Sequence, residues 1–476
     1  MTSTHVVILG AGPAGLGAAF RLSQRPATRV TVLERNPVVG GNAGSFDVGG
    51  LRVDYGSHRL HPACDPRILA DIRELLGADL LDRPRHGRIR IRGRWIHFPL
   101  KPVDLALRLP PGFIVGVAGD LVRKVTKRRP PMPLAGESFA SVLEAGLGRT
   151  ICRDFYFPYA RKIWGAPPEE LAAVQAKRRV SAGSLAKMLG KVWSAVPGLG
   201  RSRGSRFFYP RNGYGQISDA YCRAAQRAGA DIRLEARVLE IETQNGTVVG
   251  VHYERHGQRY RLAADHVWST IPVTVLARCL RPALPAQILQ AAERLEFRAM
   301  ILVYLVLEQV QFSEYDAHYF PEADIAISRL SEPKNYSASG RPGRLTVLCA
   351  ELPCSTDDPT WSLDDEALGG LVRDALERAG LPVRAPVKEV LTRRLPNAYP
   401  IYRRGYKEYF DCLDEQVDGM AGLVTFGRQG LFAHDNTHHA LFMAYCAEDC
   451  LRPDGTFDRL RWQTYRRDFE THVVED

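Results

Sequence analysis

The chain has 476 residues, 45% hydrophobic and 25% charged, which excludes a disordered chain or a disulfide-stapled mini-fold and fits a soluble enzyme of about two to three domains. Its formal charge of +11 is local: residues 101–211 carry 20 Lys and Arg against 7 Asp and Glu, a net of +13, leaving −2 for the remainder. Nine scattered cysteines without a CxxC pair predict neither a zinc framework nor disulfides and fit a reducing, cytoplasmic setting.

Taken in chain order, Val6-Val7-Ile8-Leu9 is broken at once by Gly10 and Gly12, so the start does not read as a signal peptide. No run of about 18 apolar residues predicts a transmembrane helix. His5–Leu9 and Arg29–Leu33 read as buried strands around a helix over Leu16–Ser23, a βαβ unit. Residues 44–62 read as irregular strand and loop. Ile89–Ile91 and Trp95–Phe98 form a hairpin about Arg92-Gly93-Arg94. Helical spacing then covers 103–108, 112–128, 138–146, 149–162, 168–178 and 181–193, punctuated by Pro130-Pro131 and Pro167-Pro168. A helix follows over Gly213–Ala228, stopped by Gly229. Strands come next at Ile232–Leu234, Val238–Thr243 and Val248–Tyr253, with Asn245-Gly246 as a hairpin turn, and then Val267–Thr270, ended by Pro272. Residues 299–307 and 344–350 are strongly β and 364–378 helical. Leu423–Gly427 is a strand running into glycines, and 437–450 is a helix.

Gly10-Ala11-Gly12-Pro13-Ala14-Gly15 lies between the first strand and its helix, and Glu34 ends the next strand. Gly10 makes the tight turn, Gly12 lets backbone approach a pyrophosphate, Gly15 lets helix and strand pack, and Glu34 is placed for a ribose. A second glycine run, Gly40-Gly41-Asn42-Ala43-Gly44-Ser45, follows Glu34-Arg35. This pair of features, with Val238-Leu239-Glu240 and the strand Ala264–Pro272, resembles the FAD enzymes of the glutathione-reductase-like superfamily. The resemblance implies an FAD site including Gly10, Gly12, Gly15, Glu34, Arg35, Gly41, Asn42 and Val238. His58 and His61, at i and i+3, have no thiol or carboxylate cluster to support a metal, so no metal is expected. Gly56 before His58 suggests backbone close to a flat ring.

Further along, the chain resembles the UDP-galactopyranose mutases. Gly56-Ser57-His58-Arg59-Leu60-His61 resembles their G-P-H-x-x-H. Phe155 to Leu171, running on to Lys177-Arg178, resembles their F-x-x-x-Y-x-x-K-x-W-G-x-x-P-x-E-L and K-R in the same register. In that family the Phe and Tyr sandwich uracil, the Trp lines the nucleotide site, and the Arg contacts sugar or diphosphate. The resemblance thus points to Phe155, Tyr159, Trp164 and Arg178. Tyr209-Pro210 to Gly213-Tyr214, Phe297-Arg298, Tyr319 with Arg329-Leu330-Ser331-Glu332, Tyr399-Pro400-Ile401 and Gly427-Arg428-Gln429-Gly430 resemble later family segments in order. It implies substrate contacts at Tyr209, Tyr319 and Tyr399, and flavin contacts at His58, His61 and Gly427. It further implies Arg298 against the flavin and Arg428 on the diphosphate and cofactor. Catalytic roles would fall to His58, Arg178, Arg298 and Arg428. Where the family has Tyr and Asp this chain has His434 and Asn436, at positions touching diphosphate and the flavin ribityl chain, and Phe432 replaces a further Tyr.

The expected fold is α/β: a discontinuous FAD-binding Rossmann-like domain (1–100, 206–275 and 401–476), a helical nucleotide- and substrate-binding insert (101–205) and a β-sheet-rich substrate domain (276–400). The function the resemblance implies is a nucleotide-sugar pyranose/furanose mutase. There reduced flavin N5 attacks the anomeric carbon with no net redox change, after reduction by an external donor such as NAD(P)H. An FAD oxidase or desaturase of the protoporphyrinogen-oxidase or amine-oxidase type shares the whole flavin half and stays open. A third alternative is a flavin-binding protein without catalysis, or one using Phe113–Val117 and the basic run after it for a weak membrane-surface contact. Lys124, Lys127, Arg128 and Arg129 read as a solvated face, and His438-His439 as a helix N-terminal feature. A nucleic-acid partner would want a broad basic face and is not expected. The sugar, the nucleotide and the oligomeric state are open.

Overall fold

The computed structural model describes residues 3–100, 104, 107–126, 136–179, 206–337 and 343–474. The expected helix at 181–193, the cations Lys127, Arg128 and Arg129, and most of the 103–108 segment lie outside the described residues.

Val6, Val7, Ile8 and Leu9 are all fully buried, because their strand sits in the middle of a sheet covered on both faces. The sheet runs Leu423–Thr425, His266–Ser269, Thr4–Leu9, Thr28–Leu33, Asp231–Arg233, all parallel. Its strands come from three distant parts of the chain. Helices Pro13–Ser23, Gln216–Arg227 and Thr437–Cys450 pack on one face. On the other lies a small sheet in the order Gln258–Ala263, Thr247–Arg255, Ala236–Gln244, Leu280–Arg281. The α/β class and its discontinuous nucleotide layer agree with the sequence reading.

A seven-stranded sheet builds the rest: Val387–Pro400, Phe297–Leu307, Thr346–Cys354, Arg329–Ser331, Ala317–Tyr319, Gly87–Ile91, Arg94–Phe98. The last two are the Arg92-Gly93 hairpin. It pairs with Ala317–Tyr319 rather than with the nucleotide sheet. An isolated hairpin is marginal in water, and Ile89, Ile91 and Ile96 find their core here, under the helical layer. That layer holds Pro111–Thr126, Phe139–Leu147 and the run from Arg149 to Trp164.

Several boundaries are corrected. The helix expected at 149–162 is present and runs from Arg149 to Trp164, with a π-turn inside it at Cys152–Tyr156. Pro158 has no N–H to give a carbonyl one turn back, and its ring crowds that carbonyl, so the turn widens. The helix expected over 168–178 is only Ala173–Arg179. The lead-in from Pro167 to Glu170 is a turn, with Glu170 N–H on the Pro167 carbonyl (3.0 Å), and Ala172 N–H bonds the Tyr402 carbonyl. The helix expected from Gly213 starts at Gln216, and the 344–350 strand is Thr346–Cys354. Residues 44–62 contain a hairpin, Ser45–Val48 with Leu51–Asp54. Phe113, named for a membrane contact, is buried against the hairpin core, whereas Val115 is 71% exposed. Lys124, read as part of a solvated face, donates to the Gly146 carbonyl (2.8 Å). All nine cysteines are free thiols, and no described helix is long and apolar enough to cross a membrane.

His318, on the strand beside Tyr319, is buried with Nδ1 accepting from Arg88 Nε (2.8 Å) and Nε2 on Ser313 Oγ (3.0 Å). Burial first, and then the Arg88 charge, push it from 6.5 down to about 3. The folded imidazole stays neutral while the unfolded one takes a proton below about pH 6.5. Its contribution is therefore complete above that pH and is lost as pH falls towards 3. Chemical denaturation at pH 7.5 and pH 5 should show a loss of stability that is smaller in His318→Gln by about 2 kcal/mol.

Candidate active site

The nucleotide end is built on glycines with distinct tasks. Gly10 has φ +98°, and a Cβ there would lie 2.6 Å from Thr270 Oγ1. A Cβ on Gly15 would lie 1.9 Å from the Gly10 carbonyl oxygen, so helix and turn meet only through glycine. Gly12 differs: nothing lies within 4 Å of the place its Cβ would take, and it caps the first helix without a side chain. Open space at an uncapped helix N-terminus suits a pyrophosphate. Glu34, buried, accepts the Ala11 N–H (2.8 Å) on Oε2, and Asn36 N (2.9 Å) and Nδ2 (2.7 Å) on Oε1. A carboxylate accepts about four such bonds, so one ribose hydroxyl can be added. The second glycine run packs on the first, Gly40 N–H bonding the Ala11 carbonyl (2.8 Å). Gly41 is exposed, Asn42 half-buried and Arg35 exposed. Val238 lies two residues after Ala236, whose N–H bonds the Glu34 carbonyl (2.8 Å). Gly427, φ +79°, brings the late loop against the first helix: a Cβ there would be 2.8 Å from that of Ala14.

The flavin end is organised by two buried carboxylates. Asp54 takes Ser45 Oγ (2.6 Å) and Tyr214 N (2.8 Å) on Oδ1 and the Tyr209 hydroxyl (2.6 Å) on Oδ2. This fixes Tyr214, which stacks on His58 at 5.2 Å and 26°. His58 donates from Nε2 to the Tyr55 carbonyl (2.9 Å), and burial lowers its pKa, keeping it neutral. Glu351 takes the Ser57 N–H (2.9 Å) and Nε and Nη2 of Arg329 (2.9 and 2.8 Å). The Arg329 charge is felt at His58 and at Tyr159, Tyr319 and Tyr399, so one guanidinium acts on the imidazole and on three tyrosines. Arg59 supports Tyr319 through its hydroxyl (3.0 Å) while paired with Asp316 (3.2 Å).

Next to this lies a second group. Arg428 sits over Tyr399 (4.9 Å) and donates to the Ala398 carbonyl (2.6 Å). His434 stacks on Tyr399 (6.1 Å, 22°) and meets Trp164 and Tyr402 edge-on. Gln175 Nε2 lies 3.1 Å from its Nε2. Arg178 donates to the Tyr402 hydroxyl (3.2 Å), on the ring that also feels Arg428. Gly165 ends its helix at φ +64°, and a Cβ there would sit 2.6 Å from Arg298 Nη1. The glycine after Trp164 thus vacates the space of the Arg298 guanidinium, which bonds Ser355 Oγ (2.6 Å).

The structure therefore brings His58, Tyr159, Trp164, Arg178, Tyr319, Tyr399, Arg428 and His434 into one contiguous cluster, with Arg298 against the Trp164-Gly165 turn. Three expectations change. Tyr209 is 1% exposed, its hydroxyl spent on Asp54 and its ring against Tyr214 and Tyr336, so it supports the site from behind rather than lining it. Phe155 and Tyr159 stack directly (6.0 Å, 15°), so a base enters between them only after the rings part. His61 stacks at 6.3 Å on His438, next to the last long helix, whose N-cap is Asn436. Sequence reasoning missed Asp54, Glu351, Gln175 and Tyr402. Arg329 was visible only as part of a matching segment.

The profile of the flavin-containing amine oxidoreductase family matches residues 13–439. A phytoene dehydrogenase of Streptomyces griseus is 28% identical over 271 residues, 52% of this chain and 51% of its own, so the match spans about half of that relative's length. An all-trans-zeta-carotene desaturase of Myxococcus xanthus is 25% identical, covering 81% of this chain and 79% of its own. Among solved structures, reduced UDP-galactopyranose mutase superposes with a TM-score of 0.81 over 99% of this chain and 100% of that one, at 20% identity, a likeness of fold. The cofactor is FAD.

Gly12 has φ −76°, which any residue adopts, so a side chain there costs the chain little but enters the open space. Gly12→Val should fold with an unchanged apo melting point and bind FAD about 100-fold more weakly, read by flavin fluorescence titration.

Proposed function

We propose that this chain, which belongs to the flavin-containing amine oxidoreductase family, is an FAD-dependent pyranose/furanose mutase acting on a nucleotide sugar without net redox change. One observation carries the reading: Arg428 lies over Tyr399, Arg178 bonds the Tyr402 hydroxyl, and the Arg329 charge acts on Tyr159, Tyr319 and Tyr399, so guanidinium groups and aromatic rings alternate in one cluster. Aromatic rings interleaved with guanidinium groups suit a dianionic diphosphate carrying a base and a sugar. The fold likeness to a solved UDP-galactopyranose mutase supports the same reading.

FAD, reduced by an external donor such as NAD(P)H, supplies when bound an electron pair for attack on the anomeric carbon. The protein's own tasks are positioning and charge. Arg428 and Arg178, on either side of Tyr402, would hold the departing diphosphate and offset its developing charge. Phe155 and Tyr159 would part to stack the base, so that remote binding energy aims the reacting carbon. Hydroxyls of Tyr319 and Tyr399 would orient the sugar, and neutral His58 would pack the flavin side without adding charge. His434 and Asn436, in place of a Tyr and an Asp, would give the diphosphate and ribityl corners a different hydrogen-bonding set, which points to a sugar or nucleotide other than UDP-galactose.

An FAD oxidase or desaturase is the second reading, favoured by the two curated relatives, named as a phytoene dehydrogenase and a carotene desaturase. The two readings part in one experiment. Dithionite-reduced holoenzyme is incubated with UDP- and dTDP-sugars and the product ring size is read by NMR. A ring-contracted product formed only by reduced enzyme is expected. Oxygen consumption and bleaching of oxidised enzyme by a hydrocarbon or amine, with no sugar product, would sink the mutase reading. Arg428→Ala should keep its FAD and bind UDP about 10–100-fold more weakly, as loss of a charge-assisted bond requires.

A further inference from the structure

Away from the tyrosine cluster, the start of the helix Thr437–Cys450 meets the C-terminal tail. Asp435 lies just before this helix with its side chain 0% exposed, and its carboxylate meets long contacts, with His472 as hydrogen-bonding neighbour and His439 beside it. Its Oδ1 is 3.5 Å from Nδ1 of His439 and 3.5 Å from Nδ1 of His472, on the tail. The three ligand atoms lie within 4.8 Å of one another, and the two imidazoles stack at 4.3 Å and 14°. We infer that Asp435, His439 and His472 form a binding site for a divalent transition-metal ion of the zinc type, which clips the C-terminal tail onto the last long helix.

Two imidazole nitrogens and one carboxylate oxygen are a ligand set such ions accept, with a fourth position left for water. Bonds of about 2.1 Å place tetrahedral ligand atoms about 3.4 Å apart. The two edges at Asp435 already match; a ring nitrogen's lone pair lies in its ring plane, so His472, past the final helix, must turn out of its stack on His439 to close the third. A buried carboxylate held by long contacts to imidazoles is costly, and a cation of this kind offsets the cost. Two features oppose the ion. Asn436 N–H donates to His439 Nδ1, though at a long 3.3 Å, and the Arg178 charge is felt at Asp435 and His439. They set the affinity below that of a four-ligand structural site. The tail also gives Val474 N–H to the Arg178 carbonyl (2.8 Å), so the ion would steady the backbone of a cleft arginine. The inference is independent of the substrate reading.

Holoenzyme stripped with EDTA and desalted is titrated with zinc chloride by calorimetry, and its melting point is read with and without zinc. One equivalent per chain and a melting point raised by several degrees are expected. His472→Ala and Asp435→Asn should weaken zinc binding about 100-fold with the flavin spectrum unchanged. His438→Ala, a neighbouring imidazole outside the set, should bind as wild type. If Asp435→Asn does not fold, His472→Ala on the tail carries the test. No binding by wild type up to about 1 mM zinc, wild-type binding by His472→Ala, or equal loss in His438→Ala would each overturn the assignment.

Discussion

The buried pair of Glu351 and Arg329 is the interaction on which the site depends. Glu351 stands on a strand of the seven-stranded sheet, yet it also holds the Ser57 N–H, and with it the loop that presents His58. Arg329 faces the other way, towards Tyr159, Tyr319 and Tyr399. This carboxylate is thus one of the links between the nucleotide layer and the β-rich layer, beside Arg59 on Asp316 and Tyr319. Breaking such a pair by removing one partner leaves a buried charge, which costs about 3–5 kcal/mol, so this corner behaves as a rigid wall. Asp54 performs the same service behind the imidazole, taking three donors so that Tyr214 can only stack on His58.

What was legible in the sequence was local. The Gly10–Gly15 turn, Glu34 and the flanking strands were readable because each glycine answers a constraint within a few residues. The order of the later segments, including Trp164-Gly165, Tyr399 and Arg428, was readable by resemblance. Glu351 was not readable: it lies in the apolar run Thr346–Cys354, and its partner Ser57 is 294 positions away. Gln175 and Tyr402 likewise act only through a tertiary contact with His434. The helices Pro66–Leu76, Tyr406–Asp418 and Arg459–Phe469 and the strand Gln258–Ala263 went unread, the strand because it is an exposed, polar edge without an apolar face.

The aromatic block shows how resemblance and geometry divide the work. Register alone placed Phe155 and Tyr159 on one side of a regular helix. Pro158 instead forces a widened turn at Cys152–Tyr156, and that turn sets where Phe155 points. The same block ends at Gly165, whose missing side chain is the room Arg298 occupies. Substitutions at either place act on a neighbour rather than on the residue itself.

The parallel sheet has an implication for how the protein comes into being. Strand Leu423–Thr425 pairs with His266–Ser269, which pairs with Thr4–Leu9. The glycine turn is synthesised long before Leu423–Thr425, and its layer closes only when that strand has emerged. Contacts this distant in sequence form slowly, because the loop between them must first be closed. A nascent or truncated chain therefore exposes a hydrophobic strand edge beside an unfinished groove, and FAD can select only the completed product. Cofactor capture then marks the end of folding, and cellular flavin supply becomes a determinant of how much protein survives to act.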